Sequence, residues 1–153
     1  LRSLTKFYAM PGLRIGYVLG ASKIVDRLKD RQPPWSVNSL VQDVSRAVLH
    51  DDVYARKSRA FMENERSRFV RGLRSLSGLR VYPSAANFVL IELPAWTSAG
   101  AVTDGLASEG LLVRDCSPLP GLTMQMVRVA IRTAKENRRL IAALGGFLTK
   151  RQS

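Results

Sequence analysis

Apolar and polar residues alternate in two rhythms along this chain, one with the period of a strand and one with the period of a helix. Short apolar runs over 1–4 and 15–19 read as strands, with Pro11-Gly12 and Gly16 marking a sharp turn between them. Ile24, Val25 and Leu28 fall on one face of a helix expected over 23–31, with Ser22 as its N-cap. Pro33-Pro34 breaks that helix, because Pro33 biases Gln32 away from helical backbone. Trp35 is expected as a packed ring and Asn38 as a helix cap. A second helix starts at Ser36 or Asn38 and carries Leu40, Val41, Val44, Ala47, Val48 and Leu49. A long Arg-rich helix then runs over about 51–76, with Phe61, Phe69, Val70 and Leu73 as its apolar positions.

From Gly78 the texture changes. Residues 79–82 and 87–93 are short β-rich runs separated by Pro83-Ser84-Ala85-Ala86, the look of paired strands. A helix follows over 97–110, closed by Gly110, then a strand over 111–114, a Pro/Gly loop over 115–123 and a strand over 126–132. Thr133 opens the last helix with Glu136 at the capping-box position. Such an order makes an α+β layer, with helices on one face of a small sheet.

Composition narrows the partners. The 153 residues are 46% hydrophobic and 24% charged, ordinary for a globular protein. No apolar run approaches a membrane span and no leader pattern is present, so no membrane partner is expected. One cysteine, Cys116, excludes an intramolecular disulfide framework and fits a reducing, cytoplasmic setting. With one histidine and one cysteine a conventional zinc site is close to excluded, and no metal is expected. His50 has no nucleophile or carboxylate beside it in sequence and receives no role. The net charge of +12 comes largely from Arg56, Lys57, Arg59, Arg66, Arg68, Arg71 and Arg74, interleaved with Glu63 and Glu65. That pattern reads as a solvated helix face, and with few aromatics to stack bases no nucleic-acid partner is expected.

Two constellations carry chemistry. In SLTKFYAMPGLRIGYV, Lys6 lies beside the hydroxyls of Ser3 and Thr5 and upstream of Arg14. A desolvated lysine loses its proton more readily and can condense with a carbonyl, while hydroxyls and a guanidinium suit a phosphate. A carbonyl compound that also carries a phosphate is pyridoxal 5′-phosphate. The second constellation is Arg114 and Arg128, each in or at the end of a strand. A guanidinium there is costly to bury unless an anion faces it, and the fork matches carboxylate or phosphate. The alternative is a structural ion pair with Asp115 or Glu92.

SLTKFYAMPGLRIG resembles the lysine segment of fold-type I pyridoxal-phosphate enzymes, the class I/II aminotransferase family, in which the arginine falls eight positions after the lysine, as Arg14 does after Lys6. Within it the chain is most similar to the threonine-phosphate decarboxylase and histidinol-phosphate aminotransferase branches. The resemblance implies the C-terminal part of an α/β, fold-type I architecture: 1–36 a remnant of the large cofactor-binding domain, 37–77 interdomain helices, and 78–153 a small α+β domain. The start at Leu1, without Met and inside a strand pattern, is read the same way. It implies Lys6 as the cofactor-linked catalytic residue, with Ser3, Thr5 and Arg14 on the cofactor phosphate. The missing part would carry an aspartate for the pyridine nitrogen, a tyrosine for the phenolic oxygen and a stacking ring.

PSAANFVLIEL is similar to the family's S-x-A-N-F-x-L segment, which makes Asn87 a site candidate, a strand-start hydrogen-bonding role being the alternative. LLVRDC and MVRVAIRTAKEN resemble the decarboxylase end of the family. Arg132 stands where the aminotransferase pattern has Gly, while Pro118-Leu119-Pro120 departs from the decarboxylase pattern. The resemblance implies Arg128 and Arg114 as contacts for the carboxylate and phosphate of a small phosphorylated amino acid, in a homodimer. The implied reaction is decarboxylation of L-threonine O-3-phosphate in cobalamin biosynthesis. The runner-up is the transamination of histidinol phosphate, and a chain holding only this part could also be an inactive fragment.

Overall fold

The computed structural model describes residues 1–150, with side chains to 149. The chain divides into two compact units, Leu1–Arg59 and the residues from Ala60 onward.

The first unit is built on two short antiparallel strands, β1 (Arg2–Ser3) and β2 (Gly16–Tyr17), which pair Arg2 with Tyr17 and Ser3 with Gly16. The Leu4 amide extends the pairing to the Ile15 carbonyl at 3.1 Å. A Cβ at position 16 would lie 2.5 Å from the Arg2 carbonyl oxygen, so this approach requires glycine. Between the strands a short 3-10 turn, Pro11–Leu13, ends at Arg14 in the left-handed region with φ 49°.

Helix α1 (Ser22–Lys29) begins at Ser22 itself, so that residue is not the expected cap: the Ala21 carbonyl takes the first amides, and no side chain caps the turn. Helix α2 (Ser39–Leu49) is capped as expected, the Asn38 side chain accepting from the Val41 amide at 2.9 Å. Trp35 is not packed. Its side chain is 96% exposed and its φ is +60°, with Gln32 Nε2 donating to Ser36 Oγ at 2.5 Å across the Pro-Pro-Trp turn. A polar bridge closes this turn, which leaves the ring no part in it. Helix α3 (Asp52–Arg74) starts in this unit and continues into the next, and Asp51 accepts from the Tyr54 amide at 2.8 Å at its start.

The second unit holds a fully antiparallel sheet in the order β3-β4-β6-β5, from β3 (Arg80–Val81), β4 (Phe88–Glu92), β5 (Arg114–Asp115) and β6 (Met126–Ala130). Strand alternation puts Val89 opposite Val129 and Ile91 opposite Val127 on one buried face. Over it pack Phe69 and Leu73 of α3, Val102 and Leu106 of α4 (Ala99–Ser108), and Leu140, Leu144 and Leu148 of α5 (Ala134–Lys150). Each such side chain contributes roughly 1.5–3 kcal/mol when fully buried. The layer therefore has its helices on one face, as the sequence pattern predicts.

The strand expected over 111–114 is shorter and later. The Leu111 amide is used to close α4, donating to the Leu106 carbonyl at 2.9 Å, and Gly110 turns the chain with φ +71°. Only from Arg114 is the backbone available to the β6 ladder. Among the described residues no helix is long and apolar enough to cross a membrane.

Candidate functional site

The turn after β1 presents Lys6. Leu4 and Thr5 are buried, which fixes the strand end, while Lys6 is exposed and its ammonium makes no hydrogen bond or ion pair among the described residues. The desolvation expected from sequence is thus not supplied by this unit. Ser3 Oγ and Thr5 Oγ1 lie 2.8 Å apart, and Ser3 Oγ also accepts from the Thr5 amide at 3.4 Å. Two hydroxyls held side by side, in the same segment as an unengaged amine, are of the chemical types suited to an anionic aldehyde. Arg14 is exposed and donates from Nη1 to the Pro11 carbonyl at 3.0 Å, so its guanidinium is steadied by its own turn with further donors free for an anion.

The turn itself is closed by backbone. Tyr8 donates to Leu4 O at 3.2 Å, Ala9 to Lys6 O at 3.2 Å, and Met10 to Thr5 O at 3.1 Å, with Ala9 at φ 52°.

In the second unit Arg114 and Arg128 are directly opposed across β5 and β6, on the sheet face away from the helices. Both are exposed, not buried as their apolar flanks suggested. Neither forms an ion pair among the described residues. Glu92, one expected partner, is taken by Arg80 at 3.6 Å and by the Tyr82 hydroxyl at 2.7 Å. That bond raises the Tyr82 phenol above its ordinary range, chiefly because the deprotonated phenol could no longer donate to the carboxylate. Asp115, the other, accepts from the Ser117 amide at 2.8 Å.

Arg128 sits over the Phe88 ring at 4.9 Å, a diagonal cross-strand contact that steadies the guanidinium plane. Asn87 immediately precedes Phe88; its carbonyl accepts from the Ile131 amide at 2.9 Å and its side chain is exposed. Arg114 and Arg128 are thus opposed on one sheet with Asn87 just before β4, while Ser3, Thr5, Lys6 and Arg14 lie along the segment from β1 to β2, Arg14 on a separate turn from Lys6.

Two networks were not legible in the sequence. Tyr54 of α3 donates from its hydroxyl to the Phe7 carbonyl at 3.1 Å, stacks on Tyr8 at 5.7 Å and meets Phe7 edge-on at 6.3 Å. Glu65, buried on α3, accepts from Arg68 at 2.9 Å and from Asn137 Nδ2 at 3.2 Å. Asn137 in turn ties both backbone groups of Arg132, each at 2.9 Å. Partners 47 and 72 residues apart leave no local signal, although an aromatic and an acid on a helix read as solvated were available to question.

Comparison with known proteins places the chain. The family model for aminotransferase class I and II matches residues 1–144. Threonine-phosphate decarboxylase of Salmonella typhimurium is 39% identical over 150 residues, covering 97% of this chain and 41% of the relative. The crystal structure of histidinol-phosphate aminotransferase from Clostridium acetobutylicum superposes with a TM-score of 0.92 at 34% identity, covering 97% of this chain and 45% of that one. The same enzyme from Sinorhizobium meliloti, solved in complex with pyridoxal 5′-phosphate, gives a TM-score of 0.82 at 26% identity over 97% of this chain and 40% of that one. The chain spans about two fifths of the length of such relatives, 41% for the decarboxylase.

Proposed function

The chain belongs to the class I and II aminotransferase family, whose members depend on pyridoxal 5′-phosphate, and we propose that it forms part of an enzyme acting on a small phosphorylated amino acid. Its fold is that of the fold-type I enzymes of this family. In this reading 1–36 are the end of a large cofactor domain, 37–77 the interdomain helices and 78–153 the small domain of a cytoplasmic homodimer.

Lys6 is the residue that would hold the cofactor, with Ser3, Thr5 and Arg14 toward its phosphate. When bound, the cofactor supplies an aldehyde for the lysine and an electron sink for the substrate's Cα. This chain's own residues contribute substrate binding and proton transfer. Arg114 and Arg128 bind the substrate's anionic groups and set which bond at Cα is aligned for cleavage. Lys6 Nζ holds or returns the proton at Cα.

The observation that carries the reading is the opposed, unpaired arginine pair. Two guanidiniums without a carboxylate suit a substrate bearing two anionic groups, and L-threonine O-3-phosphate has a carboxylate and a phosphate. We therefore favour its decarboxylation, the chemistry named for the Salmonella relative, in cobalamin biosynthesis. The likeness to the Clostridium aminotransferase favours histidinol phosphate transamination as the second reading.

The test is CO₂ release from L-threonine O-3-phosphate by the cofactor-loaded, full-length polypeptide carrying this chain, with no keto acid present. Release that Lys6→Ala abolishes is expected. Absence of CO₂ with glutamate formed from histidinol phosphate and 2-oxoglutarate would move the assignment to the aminotransferase, and neither product would refute both.

A further inference from the structure

The turn that presents Lys6 is held from outside by one residue of α3. Three backbone hydrogen bonds close the turn on itself through the carbonyls of Leu4, Thr5 and Lys6. The next carbonyl, Phe7 O, takes no backbone donor among the described residues, and the Tyr54 hydroxyl meets it at 3.1 Å. The Tyr54 ring is stacked on Tyr8 with planes 23° apart, so the hydroxyl is aimed by the same contact that covers the turn. Arg59, just over one helical turn further along α3, lies over the Phe7 ring at 5.4 Å. The two residues following Lys6 are therefore gripped by side chains of a helix, while Lys6 itself is left unengaged.

We propose that Tyr54 is a positioning residue for Lys6: it fixes the Phe7 peptide, and through it the direction in which the lysine leaves the backbone. The inference rests on Lys6 being the cofactor-bearing lysine. A side chain with four rotatable bonds reaches its target in one geometry more often when the adjoining backbone is pinned. The hydroxyl touches neither the cofactor phosphate residues nor the substrate arginines, so its removal should act on the lysine alone.

Two probes separate these effects in the full-length polypeptide freed of cofactor. Pyridoxal 5′-phosphate condenses with Lys6, the Nζ–C bond forming as one water leaves, and the rate is read from the absorbance change. Pyridoxamine 5′-phosphate carries the same phosphate but an amine in place of the aldehyde, so it reports binding without condensation. Tyr54→Phe, which keeps the ring, should slow condensation about five-fold, the worth of one neutral hydrogen bond. Its affinity for pyridoxamine 5′-phosphate should stay within about two-fold. Amide exchange at Phe7 to Met10 should quicken in the same variant, and Tyr54→Ala should exceed it in both respects.

Condensation at the parent rate in Tyr54→Phe would overturn the proposal, as would equal losses with both probes, which would make Tyr54 merely structural. Failure of the underlying reading looks different: the parent protein would then show no absorbance change that Lys6→Ala removes.

Discussion

Arg114 and Arg128 occupy opposed positions on β5 and β6, where cross-strand Cβ atoms lie about 4.5–5.5 Å apart. Like charges so placed repel, and the nearby acids are engaged elsewhere: Glu92 with Arg80 and Tyr82, Asp115 with its own turn. A bound anion would convert this repulsion into two charge-assisted hydrogen bonds, a gain available only to the complex. Under the proposed function Arg128→Ala should therefore raise KM for L-threonine O-3-phosphate roughly 10- to 100-fold, since hydrogen bonds to charged groups are worth about 1.5–3 kcal/mol. Cofactor affinity should be unchanged. Steady-state kinetics beside a cofactor titration decide it, and a matched loss of substrate and cofactor binding would make Arg128 structural. The residue types announced this pair in the sequence; the register that opposes them did not, because it depends on where α4 releases the chain.

At the start of α5 one carboxylate organises the element. Glu136 accepts from the Thr133 hydroxyl at 2.6 Å, from Arg132 Nη2 at 2.8 Å and from the Thr133 amide at 3.1 Å. These donors, the Thr133 hydroxyl foremost, hold its pKa down at about 2 against an ordinary 4.5. With the folded value below the unfolded one, the unfolded chain binds the extra proton between them. The cap's stabilisation is thus fully present above about pH 4.5 and is lost as the pH falls through about 2. Glu136→Gln should accordingly lower the melting temperature at pH 7 and converge on the parent as the pH approaches 2; a deficit independent of pH would refute the capping role. This box and the Asn38 cap were legible because each motif lies within four residues. The Ser22 cap and the packed Trp35 were misread for the complementary reason. Ala21 can start a helix without a side-chain cap, and the ring's environment depends on distant chain that local pattern does not encode.

The two units differ in how completely they bury what their patterns mark as apolar. In the unit from Ala60 onward Val89 and Ile91 of β4, Val127 and Val129 of β6, Phe69, Val70 and Leu73 of α3 and the apolar positions of α4 and α5 meet in one contiguous core, while Phe61, also marked on α3, stays 47% exposed. In Leu1–Arg59 the same kind of pattern predicts a face on α1, and Ile24 and Leu28 do fall together, yet they are 58% and 49% exposed. Leu19 is 82% exposed, and the buried hydrophobic residues there are Leu4, Val41 and Ala55. Sequence periodicity says which face is apolar and not what covers it, so the small α+β layer could be read nearly whole while the first unit could be read only as separate elements. Local stability should follow burial. In native-state hydrogen exchange of this chain, the amides of Val89, Ile91, Val127 and Val129 should exchange slowest. Those of Gly16, Tyr17 and α1 should exchange at least roughly 100-fold faster, a difference of about 3 kcal/mol in opening free energy. Equal protection across both units would mean that the apolar face of α1 is covered in solution, and the chain alone would then be a more complete body than its exposed residues indicate.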